Sequence, residues 1–209
     1  MLPRIDNSVA CLTRAVVVAF ADMRSAKAIL FLATSLTATL FISALTRASS
    51  VLALDLSTLT ARAERIVVGQ VVSVKSEWDA SHRNIHTRIE LKVEECWKGV
   101  VPADGRLVIV QPGGSVDDIE MHVHGMAGFV PNERVVLFLA GQTAPAVVGM
   151  SQGKRSLRWE SAGKRWMADG PDLSAVVRRD ERGLLQPVAP ETSTPLDDLR
   201  RRVRALITP

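Results

Sequence analysis

Residues 85–97 show the cleanest alternation of apolar and polar side chains in this sequence. Ile85, Thr87, Ile89, Leu91 and Val93 fall on one side, and His86, Arg88, Glu90, Lys92 and Glu94 on the other. Only an extended backbone sends every second side chain to the same face, so this run specifies an antiparallel strand with one dry and one wet surface. Whatever the rest of the chain does, it has to supply neighbours for both edges of that strand and a cover for its dry face.

The surrounding segments read the same way. Residues 65–76 are rich in Val and Ile, with Val72 and Val74 expected on one face and Gly69 at a bulge or sharp bend. Residues 77–84 are a polar connection. Leu107–Val110 form a third strand, stopped by Gln111-Pro112-Gly113-Gly114, where Pro and Gly suit a type II turn. A weaker strand covers 118–124, and the unbroken apolar run in 133–140 predicts a strand buried on both faces. Residues 147–150 and 156–159 are expected to pair as a hairpin around Ser151-Gln152-Gly153-Lys154, with one further short strand at Trp166-Met167. Several short strands with little helix between them predict a mainly β fold, a small OB-like closed barrel of five or more antiparallel strands.

Two helices complete the picture. A short one begins at Leu56-Ser57, with Ser57 as its cap and Leu59, Ala63 and Ile66 on one side. A C-terminal amphipathic one covers 195–207, opened by Thr194-Pro195 and striped by Leu196, Leu199, Val203, Leu206 and Ile207. Its arginines, 200, 201, 202 and 204, run toward the negative end of the helix dipole. Residues 169–194, with Pro171, Pro187 and Pro190, read as a linker. The division expected is therefore 1–53 leader, 54–168 barrel, 169–194 linker and 195–207 helix.

Location is expected to be outside the cytosol. Residues 28–46 carry no charge over 19 positions and lie between Lys27 and Arg47, as a signal peptide or an N-terminal membrane anchor does. Met23 opens a conventional leader, and both Thr46-Arg47-Ala48 and Val51-Leu52-Ala53 fit a small-x-small cleavage pattern. Six of the nineteen residues are Ser or Thr, which favours cleavage over a permanent span. The product is then periplasmic or extracellular, or else anchored in the inner membrane by 28–46. Residues 54–209 hold 21 basic and 20 acidic side chains, so the basic balance of the whole chain gives no ground for nucleic-acid binding. Cys96 lacks a cysteine partner in that part of the chain and is expected to be a buried apolar residue.

Chemistry-bearing patterns are sparse. Glu120, His122 and His124 stand two apart, so on a strand they share a face, with Asp118 in line. Two imidazoles and a carboxylate suit a first-row metal. With Ile119, Met121 and Val123 opposite, the same row is also what a solvent face looks like, and a metal site is the alternative. Gly149–Lys154 misses the phosphate-loop spacing by one residue, and Arg155 stands where Ser or Thr belongs. Ser73, Ser76 and Ser115 have no base at a recognisable spacing. Trp78, Trp97, Trp159 and Trp166 read as core or rim packing, without the basic interleaving of a base-stacking platform.

The segments Ala63–Val71, Val93–Gly99, Gln111–Gly114, Phe129–Leu139 and Val148–Lys154 resemble a group of exported bacterial β-barrel proteins. The order GxV, KG, F-x-P-x-E-R-x-x-x-F is also similar to netrin-type, tissue-inhibitor-of-metalloproteinases-like domains, over about residues 57–159. That resemblance implies an OB-like barrel. It does not imply metalloproteinase inhibition, because such inhibitors reach zinc with an N-terminal cysteine and this chain has none near the start of its barrel. The functional expectation is an exported, non-enzymatic binding or interaction module without a cofactor, facing an envelope or extracellular protein partner. A metal-dependent protein using Glu120, His122 and His124, or a membrane-tethered structural protein, is the alternative.

Overall fold

The computed structural model describes residues 51–208, all within one compact unit. The uncharged run 28–46 and Met23 lie outside the described residues, as does Cys11, the other cysteine of the sequence. In chain order the elements are β1 (Val51–Leu52), α1 (Leu56–Arg62), β2 (Arg65–Trp78), β3 (Ile85–Lys98), β4 (Arg106–Pro112), β5 (Gly114–Val116) and β6 (Ile119–Met121). Then follow β7 (Arg134–Ala140), β8 (Ala146–Val147), β9 (Lys154–Glu160), β10 (Arg165–Ala168), β11 (Val176–Arg179), β12 (Leu185–Pro187), β13 (Thr194–Pro195) and α2 (Leu196–Ile207).

The main sheet is antiparallel, ordered β13-β10-β9-β7-β2-β3-β4. The mainly β expectation holds, and the closed barrel does not form. β4 and β13 are the two ends of the ladder. The reason lies at the outer edge of β7, which is shared. β9 pairs with Val135–Leu137 and leads the sheet away to β10, while β8 takes only Leu139 and Ala140. β8 comes alongside β4 but contributes two residues, too few to close the roll with hydrogen bonds.

Alternation explains how the sheet is buried on both sides. From β2 and β7, Ile66, Val68, Val136 and Phe138 face one way, into a core completed by Leu59 of α1, Ala63 just after it, and Leu196, Leu199 and Val203 of α2. Val67, Val71, Val135, Leu137 and Leu139 face the other way, meeting Ile89, Leu91, Leu107 and Ile109 where β3 and β4 curl over. The 133–140 run is thus buried on both faces, as its composition predicts. α2 docks on the sheet through its apolar stripe. Arg200 binds Glu95 at 2.8 Å and lies over the Trp97 ring. Leu206, expected in that stripe, is exposed.

Bulges set the curl. The β2–β3 register shifts at Ile66/Val67, at Val68/Gly69 and between Val71 and Ser73. A Cβ on Gly69 would stand 2.6 Å from the Lys92 carbonyl oxygen, so the glycine allows the two strands to approach there. The third shift leaves Val72 as the extra residue. It is exposed, and Val74 rejoins the dry face with Val71. The expectation that Val72 and Val74 share a face fails because a bulge inverts the period-2 count.

Other local differences have equally specific causes. Asp55, not Ser57, caps α1, accepting the Thr58 N–H at 2.7 Å, and that bond holds its carboxyl below the usual range. At α2 Thr194 belongs to β13 and the helix has no side-chain cap. Residues 147–150 and 156–159 do not pair with each other, because β8 and β9 follow one another along the same edge of β7 and each pairs with it. The stretch expected as a linker carries β11 and β12, and β11 pairs in parallel with β1. Cys96, expected to be buried, is exposed, while its neighbour Trp97 goes into the core. No helix among the described residues is long and apolar enough to cross a membrane.

Candidate functional site

The β5–β6 hairpin and the segment that follows it rise beside the ends of β2, β3 and β4 and border an open cavity of about 350 Å³. Its apolar wall is Val74, Met121, Val123, Met126 and Phe129, and its polar wall is Ser76, Thr87 and Gln111. The Pro-Gly-Gly turn after β4 builds the site. It carries the chain from β4 into the hairpin through two positive-φ residues, Gly113 and Gly114. A Cβ on Gly114 would collide with the hydroxyls of Ser76 and Thr87, so only glycine leaves that corner open.

Three polar side chains make a defined network there. The Thr87 hydroxyl donates to the Gly113 carbonyl at 2.6 Å, and Ser76 Oγ lies 3.0 Å from Thr87 Oγ1. Gln111 Nε2 donates to the Ala127 carbonyl at 2.8 Å, pinning the far wall to β4. Gln111 Oε1 is buried and has no hydrogen-bond partner. Buried amide oxygens are normally satisfied, and leaving one unpaired costs about 1–3 kcal/mol, which makes it the most unusual atom of the site.

The wall is held by a half-buried ion pair. Lys154 Nζ donates to both Glu133 carboxylate oxygens at 2.7 and 2.9 Å and to the Gly128 carbonyl at 2.6 Å. Ser156 Oγ adds a 2.6 Å bond to Glu133, and Lys154 Nζ sits 5.0 Å from the Phe129 ring centroid. The Phe129-Val-Pro-Asn-Glu133 and Gly153-Lys154 segments, far apart in sequence, thereby fix one side of the cavity.

The histidine row is arranged differently from the expectation. Strand β6 ends at Met121, so of the three residues only Glu120 is on it, opposite Ser115. Glu120, His122 and His124 are exposed, and the two imidazole centroids are 6.3 Å apart and tilted. Glu120 and His122 border the cavity, while the Asp172 carboxyl is held below the usual range first by the Ser174 N–H and then by the Ser174 hydroxyl, with a smaller contribution from His124. Among the described residues no three metal-binding side chains converge. His82 stacks on Trp78 in the β2–β3 connection. The tryptophans divide: Trp97 is buried, whereas Trp159 is exposed and meets Trp166 edge-on at 5.5 Å, with Arg134 over the Trp166 ring.

Sequence reasoning missed Gln111 and Gln152. Gln152 is 1% exposed. Its amide accepts the Leu54 N–H at 2.7 Å and donates to the Leu52 carbonyl at 3.1 Å, as a strand neighbour would. Arg155 beside it is buried and paired with Glu191; burial pushes its guanidinium down and Glu191 opposes that. A buried glutamine has no periodicity of its own, and the one available signal for Gln152 was a Gly-x-x-Gln-Gly turn with an amide where turns usually carry Asn or Asp. No protein-family model matches the chain, and neither do the curated proteins or the solved structures.

Proposed function

We propose that the protein is an exported, non-enzymatic binding module that takes a small ligand, or a side chain of a partner protein, in the cavity between β4 and the β5–β6 hairpin. The observation that carries this reading is the cavity itself, about 350 Å³ in volume and within the size range of ligand sites, with apolar side chains on one wall and the Ser76, Thr87 and Gln111 network on the other. The non-enzymatic part rests on the hydroxyls. The Thr87 proton goes to a backbone carbonyl, and Ser76 is engaged with Thr87, so neither is set against a base as a nucleophile needs to be. The curl of β7-β2-β3-β4, with β8 beside β4, supports an OB-like roll left open at one seam. Export rests on the uncharged run 28–46 and the basic residues before it.

The test is a ligand screen by thermal shift on the purified protein and on a Val123→Trp variant, which fills the cavity from its apolar wall. Compounds that stabilise the parent and lose their effect in the variant support the proposal. A set of stabilising compounds whose effect is unchanged by Val123→Trp refutes it.

A further inference from the structure

The sheet face that α2 covers continues beyond the helix into solvent. Leu157 of β9 belongs to the core under α2, and Trp159, two residues further on the same face, is 49% exposed. Trp166 stands opposite Trp159 on β10 and packs against that core. Gln70 and Arg134 pair across β2 and β7, two residues beyond the buried Val68 and Val136. With Trp166, Glu94, Glu95 and Asn132 they line an open groove of about 590 Å³, which shares no lining residue with the cavity beside β4.

The charges of this groove are paired with one another. Arg134 Nε donates to Glu94 Oε2 at 2.6 Å, and its guanidinium lies 4.5 Å over the Trp166 ring. Glu95 accepts Arg200 Nη2 at 2.8 Å and the Trp97 indole N–H at 3.0 Å. Two carboxylates matched by two guanidinia leave no net charge to draw in a phosphate chain or a polycation. The groups open to a ligand are two-sided instead. Exposed Asn132 and half-exposed Gln70 present amides, each with N–H donors and an accepting oxygen, and Gln70 makes only a 3.4 Å contact from Nε2 to the Asn132 carbonyl. Trp166 is the one apolar side chain of the lining, too little for a lipid. Trp159 meets it edge-on at 5.5 Å, so the exposed indole is braced from the side.

Aromatic surface beside groups that both give and take hydrogen bonds is the complement of a pyranose ring, whose C–H face is apolar and whose hydroxyls donate and accept. We infer that the groove binds a neutral saccharide, a β-1,4-linked glycan whose equatorial substituents leave flat C–H faces to lie on Trp159. Its hydroxyls bond the Gln70 and Asn132 amides and the exposed Glu94 carboxylate. The inference goes beyond the cavity reading and does not depend on it.

The experiment follows the indole N–H signals of Trp159 and Trp166 in the 15N-labelled protein as cellopentaose, chitopentaose or a pentameric β-1,4-glucuronan is added at neutral pH. Expected are saturable shifts of both indoles with cellopentaose or chitopentaose. The glucuronan, the same chain with a carboxylate on each ring, should bind about tenfold more weakly, because Glu94 repels it and no unpaired cation in the lining receives it. Trp159→Ala, a change at an exposed site, should weaken cellopentaose binding by about tenfold, as loss of a stacking ring does, and Trp159→Phe should restore part of it. Gln70→Ala should weaken it by about two- to tenfold. Val123→Trp, which fills the cavity, should leave it unchanged. Four outcomes overturn the inference: no saturable shift with either neutral glycan at ~10 mM, shifts that persist in Trp159→Ala, glucuronan binding as tight as that of cellopentaose, or loss of glycan binding in Val123→Trp. The first three leave the cavity reading intact, and the fourth moves the glycan into the cavity.

Discussion

Replacing Lys154 by Met tests whether the wall of the cavity is held by charge. The substitution keeps an unbranched chain of similar length and removes all three N–H donors. Glu133 is left with the Ser156 hydroxyl and the 3.3 Å contact from the Val130 N–H, and the Gly128 carbonyl loses its bond from Lys154. The side chains of the pair are 14% and 18% exposed. Breaking a fully buried pair costs ~3–5 kcal/mol and a surface pair under ~1 kcal/mol. The burial here places the loss near ~2 kcal/mol, discounted for the remaining solvent access. For a domain of this size that is a fall in Tm of about 4–8 °C. Urea unfolding of the parent, Lys154→Met, Glu133→Met and the double variant measures it. The double variant should recover part of the loss, because two apolar residues leave no uncompensated charge. Raising salt to ~1 M should change the difference little, since partly buried pairs are weakly screened. A loss under ~0.5 kcal/mol, or one that vanishes in ~1 M salt, would show that the pair is an ordinary surface contact and that the wall is held by packing alone.

Gly69→Val should destabilise by ~1–3 kcal/mol, read as a lower urea midpoint at unchanged slope, because its Cβ meets the Lys92 carbonyl oxygen of the neighbouring strand. Gln152→Ala should cost ~1–3 kcal/mol and speed amide exchange at Leu54, since it removes both bonds to the segment leading into α1. With Val51 and Ala53 donating to Ala175 and Val177, that segment is part of the fold, so the mature mass should begin before Val51; a product starting at Leu54 contradicts this. Asp79 accepts the Arg83 N–H and the Asn84 side-chain amide, which hold its carboxyl far below the usual range. A lowered folded-state pKa stabilises above the unfolded value and is lost as pH falls through the folded one. Amide exchange of residues 80–84 should therefore stay slow through pH 4 and quicken only in stronger acid, and quickening at pH 4–5 would refute the role of Asp79.

The sequence by itself determined the periodic elements. β3 is legible from its alternation and β7 from its unbroken apolar run. α2 is legible from the spacing of Leu196, Leu199 and Val203. Each signal repeats along a single segment, so local chemistry suffices to specify it. The tertiary structure decided what depends on partners. Whether the roll closes turned on how the outer edge of β7 is divided between β8 and β9. Where Val72 points turned on a bulge opposite β3. The cavity brings Ser76, Thr87 and Gln111 from three strands to a Pro-Gly-Gly corner, and its defining atom is an amide oxygen left unpaired by the fold around it. Periodicity records which side of an element meets water; it holds no record of which distant group a side chain meets or fails to meet, and the site consists of those meetings.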